Sequence, residues 1–286
     1  QVLGLRLVKR TVNFDDPGSY HFYFGDHTGA PGTILTFFAW PQATRGRRGV
    51  GETSAITFSV PANSLQYWEE HLRNAGVALQ MEQRFGTTVL RFTDGDGTPL
   101  EISEGNGTRR TDIPNDHAIR GFGSVTVAEA SSAEPETVLA AMGWSKIAEE
   151  GNRRRWAAPE SSAQGRYIDL VHDESGTGGR MGAGSVHHIA FRAEDDDDQL
   201  RWQNELTQRG LHVTPVMDRT YFHSIYFREP GGVLFEIATD GPGFAFDEPV
   251  ESLGESLKLP PWLEKQRQSI EASLPRIHLT TKAVAP

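Results

Sequence analysis

The sequence predicts an α+β fold made of four copies of one small module, each a strand, a helix and three more strands, followed by a C-terminal helical extension. Three observations predict it: a long internal repeat, one amphipathic helix per copy ending on glycine, and a closing strand whose alternate residues share a face. The repeat is clearest between two stretches. The first runs Ser54-Ala55-Ile56-Thr57-Phe58-Ser59-Val60, continues as a helical pattern through Trp68 and Leu72 to Gly76, and closes on Thr98-Pro99-Leu100-Glu101-Ile102-Ser103. The second runs His187-His188-Ile189-Ala190-Phe191-Arg192, passes through Trp202 and Leu206 to Gly210, and closes on Gly232-Val233-Leu234-Phe235-Glu236-Ile237-Ala238. Phe58 to Phe191 is 133 positions, Trp68 to Trp202 and Gly76 to Gly210 are each 134, and Glu101 to Glu236 is 135. Four landmarks in step mark a duplication.

In chain order, module 1 enters in mid-copy. Leu3-Gly4-Leu5-Arg6-Leu7-Val8 matches Met142-Gly143-Trp144-Ser145-Lys146-Ile147, and strands follow from Leu5 to Asn13, Ser19 to Gly25 and Thr33 to Trp40. Module 2 is the first stretch above. In it Trp68 and Leu72 lie at i, i+4 on one helix face, and Gly76 is the stop. Module 3 opens on Phe122-Gly123-Ser124-Val125-Thr126-Val127, turns at Met142-Gly143-Trp144 and closes on Arg166-Tyr167-Ile168-Asp169-Leu170-Val171. Module 4 is the second stretch. Its run Asp195-Asp196-Asp197-Asp198 reads as a helix start, where acids complement the dipole. A calcium loop would need a glycine-centred ladder of ligands, which does not follow. After Asp240, Pro260-Pro261-Trp262 is expected to open a last amphipathic helix, laid across the body and ending near Leu274-Pro275.

The opening strand of each copy precedes its glycine stop by a nearly fixed distance: 21 residues from Ala55 to Gly76, 20 from Gly123 to Gly143 and 22 from His188 to Gly210. Applied to Gly4, this spacing puts the opening strand of module 1 roughly 16–18 residues before Gln1. A longer natural chain is therefore expected, since half a module would leave a sheet edge bare.

Composition narrows the function. The 286 residues carry 28 Lys+Arg against 38 Asp+Glu, a formal charge of −10, which argues against a nucleic-acid partner. The basic cluster Arg45-Gly46-Arg47-Arg48 reads as a solvated loop. The longest apolar runs, such as Ile34-Leu35-Thr36-Phe37-Phe38-Ala39-Trp40, are far short of the ~20 residues of a membrane span. No signal peptide is visible, so a cytoplasmic protein is expected. With no cysteine, disulfides, thiolate zinc sites, iron–sulfur clusters and thiol nucleophiles are excluded. Any metal must sit on histidine and carboxylate.

Aligning the modules compares equivalent positions. On the opening strands of modules 2, 3 and 4 stand Ala55, Gly123 and His188; on the closing strands stand Glu101, Asp169 and Glu236. Only module 4 keeps His and Glu together, 48 residues apart. Strand alternation puts Glu236 on the side of Leu234 and Ala238, facing the concave surface, while Phe235 and Ile237 turn to the helix. Two His and one carboxylate with open positions suit non-haem Fe(II), and this chain offers one such His, one Glu and an absent strand. His187-His188 read equally well as plain strand residues, one in and one out. Glu101 and Asp169, lacking a His in their own modules, read as structural or solvated.

Val186-His187-His188-Ile189-Ala190-Phe191, Asp218-Arg219-Thr220-Tyr221-Phe222 and the run from Ser224 through Arg228-Glu229-Pro230-Gly231-Gly232 to Ala238 resemble the ring-cleaving dioxygenases of the vicinal oxygen chelate (glyoxalase/bleomycin-resistance) superfamily, on its hydroquinone dioxygenase-like branch. Leu5 to Pro17, Tyr20-His21-Phe22-Tyr23-Phe24-Gly25-Asp26 and Leu259-Pro260-Pro261-Trp262-Leu263 match as well, so the resemblance covers nearly the whole chain. It implies two glyoxalase-like domains, 1–110 (modules 1 and 2) and 111–242 (modules 3 and 4), with an extension over 243–286. It also implies one Fe(II), or Mn(II), held by two His and one Glu. His188 matches the second His ligand and Glu236 the carboxylate, while the first His belongs to the absent strand. His187, Arg219 and Tyr226 match positions beside the metal, with His187 titrating near neutrality, Arg219 supplying fixed charge and Tyr226 bonding a substrate oxygen. The partners implied are a small dihydroxylated aromatic and O2; a homo-oligomer is left open. His223 stands where many relatives have Arg, and His21 is read as packing or hydrogen bonding. Two other functions fit the fold: a glyoxalase-type isomerase or lyase, for which Glu101 is the natural extra ligand, and a binding protein that sequesters a hydrophobic ligand without metal.

Overall fold

Glycine ends three of the helices for one physical reason. Helices α1 (Leu65–Asn74), α2 (Ala133–Ala141) and α3 (Asp196–Gln208) are followed by Gly76, Gly143 and Gly210, with φ of +76°, +80° and +86°. In each the glycine N–H and the next N–H turn back onto helix carbonyls, as Gly76 to Arg73 and Val77 to Leu72. That left-handed reversal satisfies the last carbonyls and is strained for any residue with a Cβ. At the other end of α3, Asp195 accepts from the Asp198 amide at 2.8 Å, and three aspartates fill the first turn. The acidic run is a helix start, as expected.

The computed structural model describes residues 2–105, 116–131, 133–159 and 165–277. Module 1 contributes β1 (Arg6–Asn13), β2 (Asp16–Gly25) and β3 (Leu35–Ala39), an antiparallel three-stranded sheet. Module 2 contributes β4 (Glu52–Val60), β5 (Gln80–Arg84), β6 (Thr87–Thr93) and β7 (Pro99–Glu104). Module 3 contributes β8 (Phe122–Glu129), β9 (Ser145–Glu150), β10 (Arg153–Ala157) and β11 (Tyr167–His172). The edge-to-edge pairing of β4 with β8 fuses these two modules into one sheet of order β5-β6-β7-β4-β8-β11-β10-β9. Module 4 forms its own sheet, β12 (Ile189–Ala193), β15 (Leu234–Thr239), β14 (His223–Arg228) and β13 (Met217–Asp218).

Sheets join modules 2 and 3, whereas side-chain packing joins 1 to 2 and 3 to 4. Phe58, Trp68, Leu72, Leu90 and Ile102 meet Leu3, Leu5 and Leu35, and Leu139, Ile168 and Leu170 meet Leu206, Phe235 and Ile237. The boundary expected at residue 110 lies outside the described residues. No helix among them is long and apolar enough to cross a membrane.

The basic cluster is exposed, as expected of a solvated loop, and its backbone is tied: Gly46, Arg47 and Val50 donate to Ala183, Arg180 and Thr177, so the two segments linking module 1 to 2 and module 3 to 4 pair with each other. The last helix is shorter than the pattern suggested. After a turn and a 3₁₀ segment over Glu264–Gln266, α4 covers only Arg267–Ser273. Leu259, Leu263, Ile270 and Leu274 still bury together against Val12, so the apolar stripe is met by mixed backbone. The extension is fastened further by Lys9, which is fully buried and bonds Asp247 and Glu248, each at 2.6 Å.

One joint between modules 3 and 4 depends on pH. Glu129, at the end of β8, is buried with both carboxylate oxygens lacking a hydrogen-bond partner. It lies against Gly231 in the turn between β14 and β15, where Glu229 accepts the Gly231 and Val233 amides at 2.7 Å. Burial, and then the charge of Glu229, push Glu129 up to about 8. The folded chain thus keeps a proton that the unfolded chain loses near pH 4.5, so this residue's contribution to stability falls as pH rises from about 4.5 to 8. We expect Glu129→Gln to melt close to the wild type at pH 5 and progressively above it towards pH 8. A melting difference that does not change with pH would contradict this.

Candidate active site

Glu236 stands at the centre of β15, flanked by β12 and β14, with its side chain on the concave face and 3 % exposed. Its Oε1 accepts from the Tyr226 hydroxyl at 2.8 Å and from the Ser224 hydroxyl; both donors lie on β14, Tyr226 in register with Glu236. Its Oε2 meets His188 Nε2 at 2.8 Å. Burial pushes this carboxyl up, but the charge of His188 and the hydrogen bonds from His188, Ser224 and Tyr226 outweigh it and hold Glu236 down to about 2. It is a carboxylate at any working pH. Phe235 and Ile237 point the other way, into the core under α3, as alternation requires.

His187 and His188 lie just before β12, and both face the cavity. Their Nδ1 atoms are 2.9 Å apart. For His188 Nε2 to offer a lone pair, its proton must sit on Nδ1 and be donated to His187, which then carries an Nε2–H. Burial, then the charges of His188 and Arg228, push His187 down to about 4. The expected titration near neutrality is therefore corrected: His187 is neutral at pH 7.

Arg219, in the turn after β13, lies 5.4 Å over the Tyr226 ring and bonds Asp15 of module 1 at 3.1 Å. Burial disfavours its charge, but Tyr226 and Asp15 outweigh that and raise it above the ordinary arginine value. Burial, then Glu236, raise the Tyr226 hydroxyl, which stays protonated. Its proton is already donated to Glu236, so Tyr226 meets an incoming oxygen as an acceptor or as a shared donor. His223 is not part of the group; it pairs with Asp196 at 2.6 Å on the outer side.

These side chains line a cavity of about 1650 Å³, walled around them by His21, Tyr23, Phe38, Trp40 and Phe222. His188 Nε2 and Glu236 Oε2 suit two adjacent positions on one divalent ion. Bonds of ~2.0–2.2 Å at a right angle would put the donor atoms roughly 3 Å apart. Among the described residues, no group of three His, Asp or Glu side chains is arranged to hold a metal.

The equivalent acids of modules 2 and 3 have met arginine instead. Glu101 is fully buried, bonded to Arg84 at 2.8 Å through both oxygens, to Thr57 at 2.8 Å and to Arg91 at 3.2 Å. Asp169 is held by Arg155 at 2.7 and 2.9 Å and by Arg153 at 3.0 Å. Glu101 belongs to the other sheet and its oxygens are engaged by arginine and threonine, so it does not stand beside His188 and Glu236 as an extra metal ligand. Arg91, Arg153 and Arg155 sit one strand away from the acids they hold and Arg84 two strands away, at spacings the repeat did not single out. His21 is the other residue that sequence reading undervalued. Its Nε2 is buried in the cavity wall without a partner.

The sequence profile of the Glyoxalase/Bleomycin resistance protein/Dioxygenase superfamily matches residues 131–237. Over 279 residues, 96 % of this chain and 88 % of its relative, the chain is 46 % identical to MhqO of Bacillus subtilis, named as a candidate ring-cleaving dioxygenase. It is 36 % identical over 280 residues to the chlorohydroquinone/hydroquinone 1,2-dioxygenase of Sphingobium indicum, covering 92 % and 86 % of the two chains. A crystal structure of a candidate dioxygenase from Bacillus subtilis superimposes with a TM-score of 0.92 at 45 % identity, over 97 % of this chain and 90 % of that one. Maize glyoxalase I superimposes at 0.59 with 12 % identity, over 83 % and 84 %, a likeness of fold alone.

The contrast between acids gives a direct test. Glu236→Gln and His188→Ala should each lose bound divalent metal, read by elemental analysis, while circular dichroism stays unchanged; Glu101→Gln should keep it. Arg84→Ala, which strips a buried carboxylate of its main partner, should cost about 3–5 kcal/mol in denaturant unfolding.

Proposed function

The chain belongs to the glyoxalase/bleomycin resistance protein/dioxygenase superfamily, among relatives named as ring-cleaving dioxygenases, and from that membership we propose that it is a non-haem Fe(II) ring-cleaving dioxygenase of the extradiol type. Its substrates are then hydroquinone or a related dihydroxylated aromatic, and O2. Mn(II) is the other ion such a donor set accepts. The observation that carries the reading is the His188–Glu236 pair, buried at the base of an aromatic-walled cavity and braced by Ser224, Tyr226 and His187.

In this reading His188 and Glu236 hold the ion. When bound, it supplies Lewis acidity and a redox couple through which ring and O2 exchange electrons. The remaining work falls to the chain. The Tyr226 and Ser224 hydroxyls fix the Glu236 carboxylate and occupy its Oε1, leaving Oε2 as the ligand atom. His187 orients the His188 ring and offers an N–H to a bound oxygen. Arg219 keeps a permanent positive charge beside Tyr226, where it stabilises negative charge developing on oxygen.

The test is oxygen uptake by anaerobically purified protein supplied with Fe(II), using a panel of hydroquinones and catechols. Both atoms of labelled O2 should appear in a ring-opened product. Uptake that yields only quinone, or none with any of the panel, would contradict the proposal. Tyr226→Phe should keep its iron and lose about 10–100-fold in turnover. If it instead lost iron and kept its rate per iron, Tyr226 would serve only to support the metal.

A further inference from the structure

Four aromatic rings form a continuous column along the wall formed by module 1. His21 and Tyr23 share a face of β2, two residues apart; Phe38 lies directly across from His21 on β3, and Trp40 follows two residues later. Ring centroids are 4.1 Å apart from Tyr23 to His21, 4.1 Å from His21 to Phe38 and 4.9 Å from Phe38 to Trp40. The last two pairs are stacked, at interplanar angles of 29° and 14°. The column runs from Tyr23, 3 % exposed, to Trp40, 39 % exposed, and His187 meets both Phe38 and Trp40 edge-on. It thus spans from the depth of the cavity to its mouth.

His21 breaks the apolar character of this wall. Its ring is clamped between two aromatic neighbours, and its Nε2 is buried with no hydrogen-bond partner in the protein. The charged and titratable groups that act on it are His188, Glu236, Arg219 and His187, all members of the site. A buried, unsatisfied polar atom is costly unless a ligand satisfies it, and such atoms concentrate at binding sites.

We propose that the aromatic ring of the substrate packs against the cavity-lining edges of this column and that His21 Nε2 hydrogen-bonds a second ring hydroxyl, which makes His21 the residue that distinguishes dihydroxylated from monohydroxylated rings. The inference rests on the aromatic substrate proposed above and goes further by assigning what reads its hydroxylation. Edge contact with the rings supplies affinity that every phenol shares, whereas a hydrogen bond to a buried nitrogen with no partner in the protein is lost when the hydroxyl is absent.

The test is anaerobic titration calorimetry with hydroquinone and phenol on Fe(II)-supplied protein, where no turnover occurs. His21→Phe keeps a ring in the column and removes the nitrogen. It should keep its melting temperature and iron content, bind hydroquinone about five- to tenfold more weakly, and bind phenol within twofold of the wild type. His21→Asn, which restores a polar atom, should recover part of the preference. Trp40→Leu should weaken both ligands alike. Equal loss of both ligands in His21→Phe, no loss of either, or loss of iron would each overturn the assignment. Wild-type protein that binds neither ring would instead defeat the aromatic substrate itself.

Discussion

A carboxylate placed inside a sheet must be neutralised there, because burying an isolated charge costs several kcal/mol or more. In this chain the repeat puts an acid on the closing strand of three successive modules, and the partner each acid finds sets the fate of its module. Glu101 and Asp169 are met by guanidinium groups, whose paired donors match both carboxylate oxygens at once. Their lone pairs are consumed and the two modules become scaffold. Glu236 is met by a histidine and two hydroxyls. Such partners hold the carboxylate ionised yet can be exchanged for an ion or a substrate oxygen. One position in the repeat is thus rigid structure in two copies and, in the function proposed above, chemistry in the third.

The remaining architecture brings distant segments to that third copy. Arg219 could not hold its place from a two-residue strand alone; it is secured from module 1 by Asp15, and the turn it occupies continues into Tyr221. Tyr221 donates to Asp247, which also pairs with the buried Lys9 on β1, while the Lys9 ammonium lies 4.6 Å over the Tyr221 ring. Module 1, the turn of module 4 and the C-terminal extension therefore meet at one desolvated ion group. Breaking it by removing one partner would leave charges buried and alone. The extension serves as a brace behind the arginine.

What the sequence made legible followed from local rules. The glycine stops, the aspartate helix start and the inward side of Glu236 each depend on a short-range physical requirement: a left-handed reversal, a dipole, a two-residue period. Comparing copies then isolated His188 and Glu236, because only there do two donor types coincide. Features set by register between strands were hidden. The pairing of β4 with β8, the arginines that reach Glu101 and Asp169 from other strands of the sheet, and the His21–Phe38 stack all depend on which residues lie opposite one another. A single sequence carries no direct record of that. The protonation of His187 was hidden for a related reason: it follows from burial and from the 2.9 Å approach of the adjacent His188 ring, both of which depend on side-chain placement in the fold.

The electrostatics of the cavity follow from the same burial that hides it from the sequence. His21 and His187 are both driven neutral, down to about 3 and about 4, chiefly by loss of water around the ring and then by His188 beside them. Tyr23 and Tyr226 are driven the other way and keep their protons, again by burial first and by Glu236 second. Four titratable rings are thus held uncharged around a carboxylate and a guanidinium that keep their charges. Among aromatic walls of low polarity those two charges act over longer range than they would in water. Burial, the property that makes each ionisable group here expensive, is what leaves the site with few charges and puts them to use.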